Sequence, residues 1–179
     1  MLKSLALWLV ARTERDFRVS LDYLRDLYRI SPRAFWKMGR ARAFGMHRER
    51  APEKAVLAAH LAAALHDDCG SCVQIVVNMA LKHGISPADI KAMMAGRLDG
   101  LAAPLSLGFR FGNAIVTNSA ALETIRHEVL AAWGEKGMVD LACAVAFART
   151  YPAMKRAMGH AVTCDLVKVE ADMPLARAA

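Results

Sequence analysis

The chain is predicted to be all-α. Alanine, leucine and methionine dominate it, and aromatic and β-branched residues are few. Apolar residues recur at helical spacing, and no segment alternates apolar with polar residues as a half-buried strand does. At 179 residues, one compact multi-helix domain with a substantial core is expected.

The elements read in order. Met1–Ala11 carries one lysine and a short apolar run, which imitates a signal peptide. The run ends at Arg12 and charged, helical residues follow, so it reads as the first helix and not a leader. Phe17, Leu21, Leu24 and Tyr28 fall at i, i+4, i+7 and i+11, one face of a helix that stops before Pro32. Ser31 and Pro32 read as N-cap and first position of a short helix carrying Phe35, Trp36 and Met38. The basic run Arg40–Arg50 reads as a connection.

Pro52 opens an alanine- and leucine-rich helix that reaches about His66. The next opens at Cys69-Gly70-Ser71-Cys72 and closes at Gly84. Ser86-Pro87-Ala88-Asp89 starts another, with Asp89 suited to the helix dipole, and Gly96 ends it. Residues 97–104 read as loop. A helix within 105–117 holds Gly108 and Gly112, which either weaken it or mark close packing. Asn118-Ser119 is read as the cap of the next helix, which ends at Trp133-Gly134. Met138–Thr150 makes another, stopped before Pro152, and Ala153–Val162 a last short one. The tail from Glu170 is expected to be loose.

Charge divides the chain. Residues 1–50 hold 12 Lys and Arg against 5 Asp and Glu, so the whole net charge of +7 lies there, and residues 51–179 are neutral. The expected organisation is a basic N-terminal helical segment (1–50), a helical domain carrying the CxxC motif (51–169) and a tail (170–179). Phe17, Leu21, Leu24 and Tyr28 need a partner surface. The segment is therefore read as packed, with its arginines on a solvated face, and no nucleic acid partner is expected. No stretch has the 18 or more apolar residues of a transmembrane helix. Four cysteines in this length are not a secreted disulfide framework, so a reducing, cytoplasmic setting is expected.

The chemistry lies at Cys69 and Cys72. A helix start presents free backbone N–H groups and a partial positive charge, which favour the reactive thiolate. A two-residue gap brings the second sulfur within reach of the first, which suits dithiol redox chemistry. A zinc site would need more ligands, but Cys143 and Cys164 are isolated and no second CxxC exists. A c-type haem would need His at position 73, where Val73 stands. No cofactor or metal is expected. The competing reading is a pair of inert, buried cysteines.

An alanine-rich helix, then CxxC opening the next helix, then Gly84-Ile85-Ser86-Pro87-Ala88-Asp89-Ile90, together resemble the alkyl hydroperoxidase D / carboxymuconolactone decarboxylase family. Trp133-Gly134-Glu135-Lys136-Gly137-Met138-Val139-Asp140 is similar to the family's later helix pair. The resemblance covers roughly residues 30–165. It implies an all-helical fold, a homo-oligomer built from trimers, and a dithiol that reduces peroxides and is recharged by a dithiol reductant protein. Redox members carry His four residues after the second cysteine and Glu twelve before the first. Here those positions are Val76 and Leu57, so the usual proton relay is missing while the dithiol remains.

Other groups stand near the motif. His60 shares a helix face with Leu57 and is the candidate base. Asp67 or Asp68 is expected to cap the cysteine helix, where a carboxylate would raise the thiol pKa. His83 lies about three turns down the helix, too far to help, and Glu53 is a weaker candidate. The expected activity is thiol–disulfide or weak peroxide reduction by an oxidoreductase using Cys69, Cys72 and His60. The alternative is a binding or scaffold protein of the same fold that lost the relay. A third reading is an enzyme of another reaction type in the same cavity.

Overall fold

The computed structural model describes residues 2–67, 69–160 and 167–169, which form helices and connections without a strand. The helices are α1 (Leu2–Phe17), α2 (Asp22–Ile30), α3 (Pro32–Gly45), α4 (Glu53–His66), α5 (Gly70–Lys82), α6 (Pro87–Met94), α7 (Ala103–Val116), α8 (Leu122–Ala148) and α9 (Thr150–Ala157). The all-α expectation holds.

The core is built around α4. Every residue from Ala55 to Ala64 is buried, and α4 packs against α5, α6, α7 and α8. A helix apolar on all sides belongs inside a protein, and here small side chains set how closely its neighbours approach. A Cβ on Gly108 would lie 2.2 Å from the Ala55 carbonyl oxygen, and one on Gly112 2.5 Å from that of Ala59. The α4 and α7 backbones therefore touch. Of the two readings of Gly108 and Gly112, close packing is the one found.

The N-terminal part differs from its sequence reading in two places. Phe17 to Tyr28 is not one helix: α1 ends at Phe17, Arg18 takes φ +49°, and α2 begins at Asp22. The side chain of Glu14 holds this break, accepting from the Leu21 backbone N–H at 2.8 Å and pairing with Arg25. The helix that starts at Pro32 is not short. It continues through Arg40 and Arg42 to Gly45, so only the last part of the basic run is a connection. Its start is as expected, with the Ser31 hydroxyl accepting from Ala34 N–H at 3.3 Å.

The segment packs on the rest of the chain. Ala6, Val10, Tyr23, Leu27, Phe35 and Met38 form one buried cluster, joined by Ile75 of α5 and Tyr151 and Met154 of α9. The connection between α3 and α4 is tied down by Asp140 of α8. This fully buried carboxylate accepts from the backbone N–H groups of Glu49, Arg50 and Ala51 at 2.8–3.0 Å.

Elsewhere the boundaries follow the sequence closely. Ser86 caps α6 by accepting from Asp89 N–H at 3.0 Å. Gly134, at φ +69°, kinks α8 where one helix was expected to end and another to begin. Asn118-Ser119 is not the cap of α8, whose N-cap is Ala121; the Ser119 hydroxyl accepts from Ala121 N–H instead. The last helix starts at Thr150 with Pro152 inside its first turn, where no intrahelical N–H is required. Its expected end at Val162 and the tail from Glu170 lie outside the described residues. No helix among the described residues is long and apolar enough to cross a membrane.

Candidate active site: a dithiol at the wall of an apolar cavity

Cys69 is the N-cap of α5 and Cys72 lies in its first turn. Both are buried, and their sulfurs stand 2.8 Å apart as free thiols. Asp67 does not cap this helix. It ends α4 instead, and its carboxylate lies 3.5 Å from Arg149 Nε and 3.9 Å from Arg156. Its charge is thus answered by arginines and not left facing the thiols. Asp68 lies outside the described residues.

The two thiols are made unequal by their surroundings. The two sulfurs share a hydrogen bond, and this contact with Cys72 is the main reason that Cys69 is pushed down to about 5. Burial opposes the shift; the Cys72 backbone N–H, the Lys155 charge and the Ser71 hydroxyl add to it. Cys72 is pushed well up, first by holding its proton against Cys69 and then by burial. The pair shares one negative charge, centred on Cys69 and held by the helix start. Lys155 of α9 donates to Ser71, one of the two residues between the thiols, and its ammonium lies 5.8 Å over the Tyr23 ring.

Cys72 also lines a cavity of about 520 Å³. Its walls come from α1, α2 and α3 on one side and α4, α5 and α8 on the other, with Tyr151 of α9. His60 faces the same cavity, 7% exposed, edge-on to Phe147 at 6.2 Å between ring centres. Burial pushes His60 down to about 4, so the ring is neutral at pH 7. Among the described residues no hydrogen bond links His60 to either thiol.

Val76 is 2% exposed and forms part of the cavity wall. Leu57 is 4% exposed and packs in the core with Val73 and Val77. Both positions are thus filled by apolar packing. Glu53 is half-exposed and pairs with His83 at 3.0 Å, so these two residues satisfy each other away from the thiols. Among the described residues no three His, Cys, Asp or Glu side chains gather to hold a metal.

Tyr23, Tyr151 and Lys155 were not expected at this site. Tyr23 and Tyr151 line the cavity beside Cys72, their rings 6.4 Å apart. Burial pushes both phenols up, and the negative charge of the thiol pair pushes them further. Both phenols therefore stay protonated. No family model matches the chain, and neither a curated protein nor a solved structure matches it.

Proposed function

We propose that the protein is a dithiol oxidoreductase in which Cys69 and Cys72 cycle between dithiol and disulfide. The observation that carries this is the 2.8 Å approach of two free sulfurs at a helix start, with Cys69 held as thiolate. An inert pair of buried cysteines needs neither the lowered thiol nor a lysine reaching into the motif.

The reaction begins when the Cys69 thiolate attacks a sulfur of a substrate disulfide. That S–S bond breaks, one substrate thiolate leaves, and Cys69 is joined to the other half. The negative charge on Cys69 is then gone, so the Cys72 proton is no longer held and its thiol becomes more acidic. The substrate thiolate already released takes that proton, since buried His60, held at about 4, is too weak a base for it. The Cys72 thiolate attacks the Cys69 sulfur, and the second substrate thiolate leaves. Two electrons have passed to the substrate, and a dithiol reductant restores the pair. A peroxide would take the same two electrons, its O–O bond breaking as one oxygen joins the attacking sulfur. With Val76 and Leu57 in the relay positions, that step lacks an acid–base group worth about 10²–10⁴-fold, and peroxide turnover is slow.

A Cys72→Ser variant tests the scheme. Removing the second thiol stops the reaction at the mixed disulfide, so a stable adduct on Cys69 is expected after treatment with a small aromatic disulfide. If Cys69 stays unmodified in the native variant and in wild type, the protein is a scaffold without dithiol chemistry. As implied by the family resemblance, we propose a homo-oligomer built from trimers, which light scattering at micromolar concentration tests; a monomer mass removes that reading.

A further inference from the structure

The polar groups of the cavity fall into two sets. Cys72, His60 and Tyr23 are buried at 8%, 7% and 4% exposure and form its inner end. Arg40 and Arg42 of α3 line it while remaining exposed, together with Leu9 and Met46, which keep 36% and 43% of their surface open. These four mark the mouth. Two residues apart on a helix, the arginines leave α3 in different directions, and both still line the cavity.

Neither arginine has a carboxylate partner among the described residues, although arginines 25, 29, 110, 126, 149 and 156 do. Arg42 also acts inward, since its charge favours the ionised form of the Tyr151 phenol against burial. Between mouth and thiol the wall is apolar: Phe35, Trp36, Ile75 and Met79. A volume of about 520 Å³ suits a ligand of modest size. An apolar chamber with guanidinium groups only at its mouth matches a chain with one anionic end. A guanidinium, with its planar fork of donors, is a favoured partner of a carboxylate.

We propose that this cavity binds a single-chain fatty carboxylate, its head on Arg40 and Arg42 and its chain directed along Phe35, Trp36, Ile75 and Met79 toward Cys72. The ligand is then the molecule presented to the dithiol. That last step rests on the redox reading above; binding itself needs no redox chemistry.

Laurate and its methyl ester are the probes, titrated into the full chain and followed by tryptophan fluorescence, since Trp36 is in the wall. Saturable binding of laurate is expected, about tenfold tighter than the ester, the scale of one charge-assisted hydrogen bond. Arg40→Ala with Arg42→Ala should abolish that preference; both side chains are exposed, so the fold should tolerate the change. Gly39→Leu should weaken acid and ester alike. Gly39 lines the cavity and nothing lies within 4 Å of its missing Cβ, so a side chain added there at the cavity wall meets no clash. Bound laurate should slow alkylation of Cys72. Absence of saturable binding below millimolar, or equal binding of acid and ester, overturns the proposal, as does a preference that survives loss of both arginines. Laurate binding to a chain whose thiols prove inert would support this proposal while removing the dithiol reading.

Discussion

Lys155 reaches from α9 to donate to the hydroxyl of Ser71, which directly precedes Cys72. A contact across 84 positions of sequence thus places a positive charge beside the thiol pair. It acts in the same direction as the helix start, lowering Cys69. Lys155→Met keeps most of the side-chain bulk and removes the charge. The pH at which Cys69 becomes half-reactive should rise by about one unit. Alkylation rates of Cys69 across pH 4–8, read by peptide mass spectrometry, check this. An unchanged profile would mean that Lys155 only packs against Tyr23.

His60 should make the fold sensitive to mild acid. Its ring is held at about 4, below the ordinary value of 6.5. As pH falls below 6.5 the unfolded chain gains a proton that the folded one refuses, so stability is lost down to pH 4. From pH 7 to pH 5 the expected loss is about 2 kcal/mol. Urea denaturation at the two pH values should show it in wild type, and much less of it in His60→Leu.

Gly108→Ala tests the α4–α7 contact on which the position of His60 depends. The added methyl would meet the Ala55 backbone at 2.2 Å, and backbone yields less easily than a side chain. A loss of about 1–3 kcal/mol is expected, although alanine favours helix over glycine. Thermal and denaturant melts would show a stability gain if the two helices were in fact loosely packed.

Asp140→Ala would leave the N–H groups of Glu49, Arg50 and Ala51 without their shared acceptor. At about 1–3 kcal/mol for each buried donor, a loss of at least 3 kcal/mol is expected. Protease should then cut first near residues 46–52, which limited proteolysis followed by mass spectrometry would locate.

The sequence exposed the site only where chemistry and helix start coincide. Cys69 and Cys72 announce themselves by spacing, and His60 by its place on the helix before them. Tyr23, Tyr151 and Lys155 could not be found that way. An aromatic residue on an amphipathic helix reads as core, and a lysine on a short helix reads as surface. What makes them part of the site is the packing of α2 and α9 against α5. The break after Phe17 was hidden for a similar reason. Phe17 and Leu21 keep helical spacing across it, and the side chain that fixes the turn, Glu14, sits within the preceding helix. Gly108 and Gly112 carried a legible but ambiguous signal, resolved only by Ala55 and Ala59 opposite them.

The central claim is that Cys69 and Cys72 act as one two-electron unit. It is tested most directly by mixing the native, fully reduced chain with excess 5,5′-dithiobis(2-nitrobenzoate) at pH 6, then locating the modified cysteines by peptide mass. At that pH an ordinary thiol is almost wholly protonated and reacts slowly. The expected result is rapid release of two thionitrobenzoate anions per dithiol, no label retained on either cysteine, and a Cys69–Cys72 peptide lighter by two hydrogens. Slow reaction at both cysteines, or a label that stays on Cys69 in the wild-type chain, would contradict it.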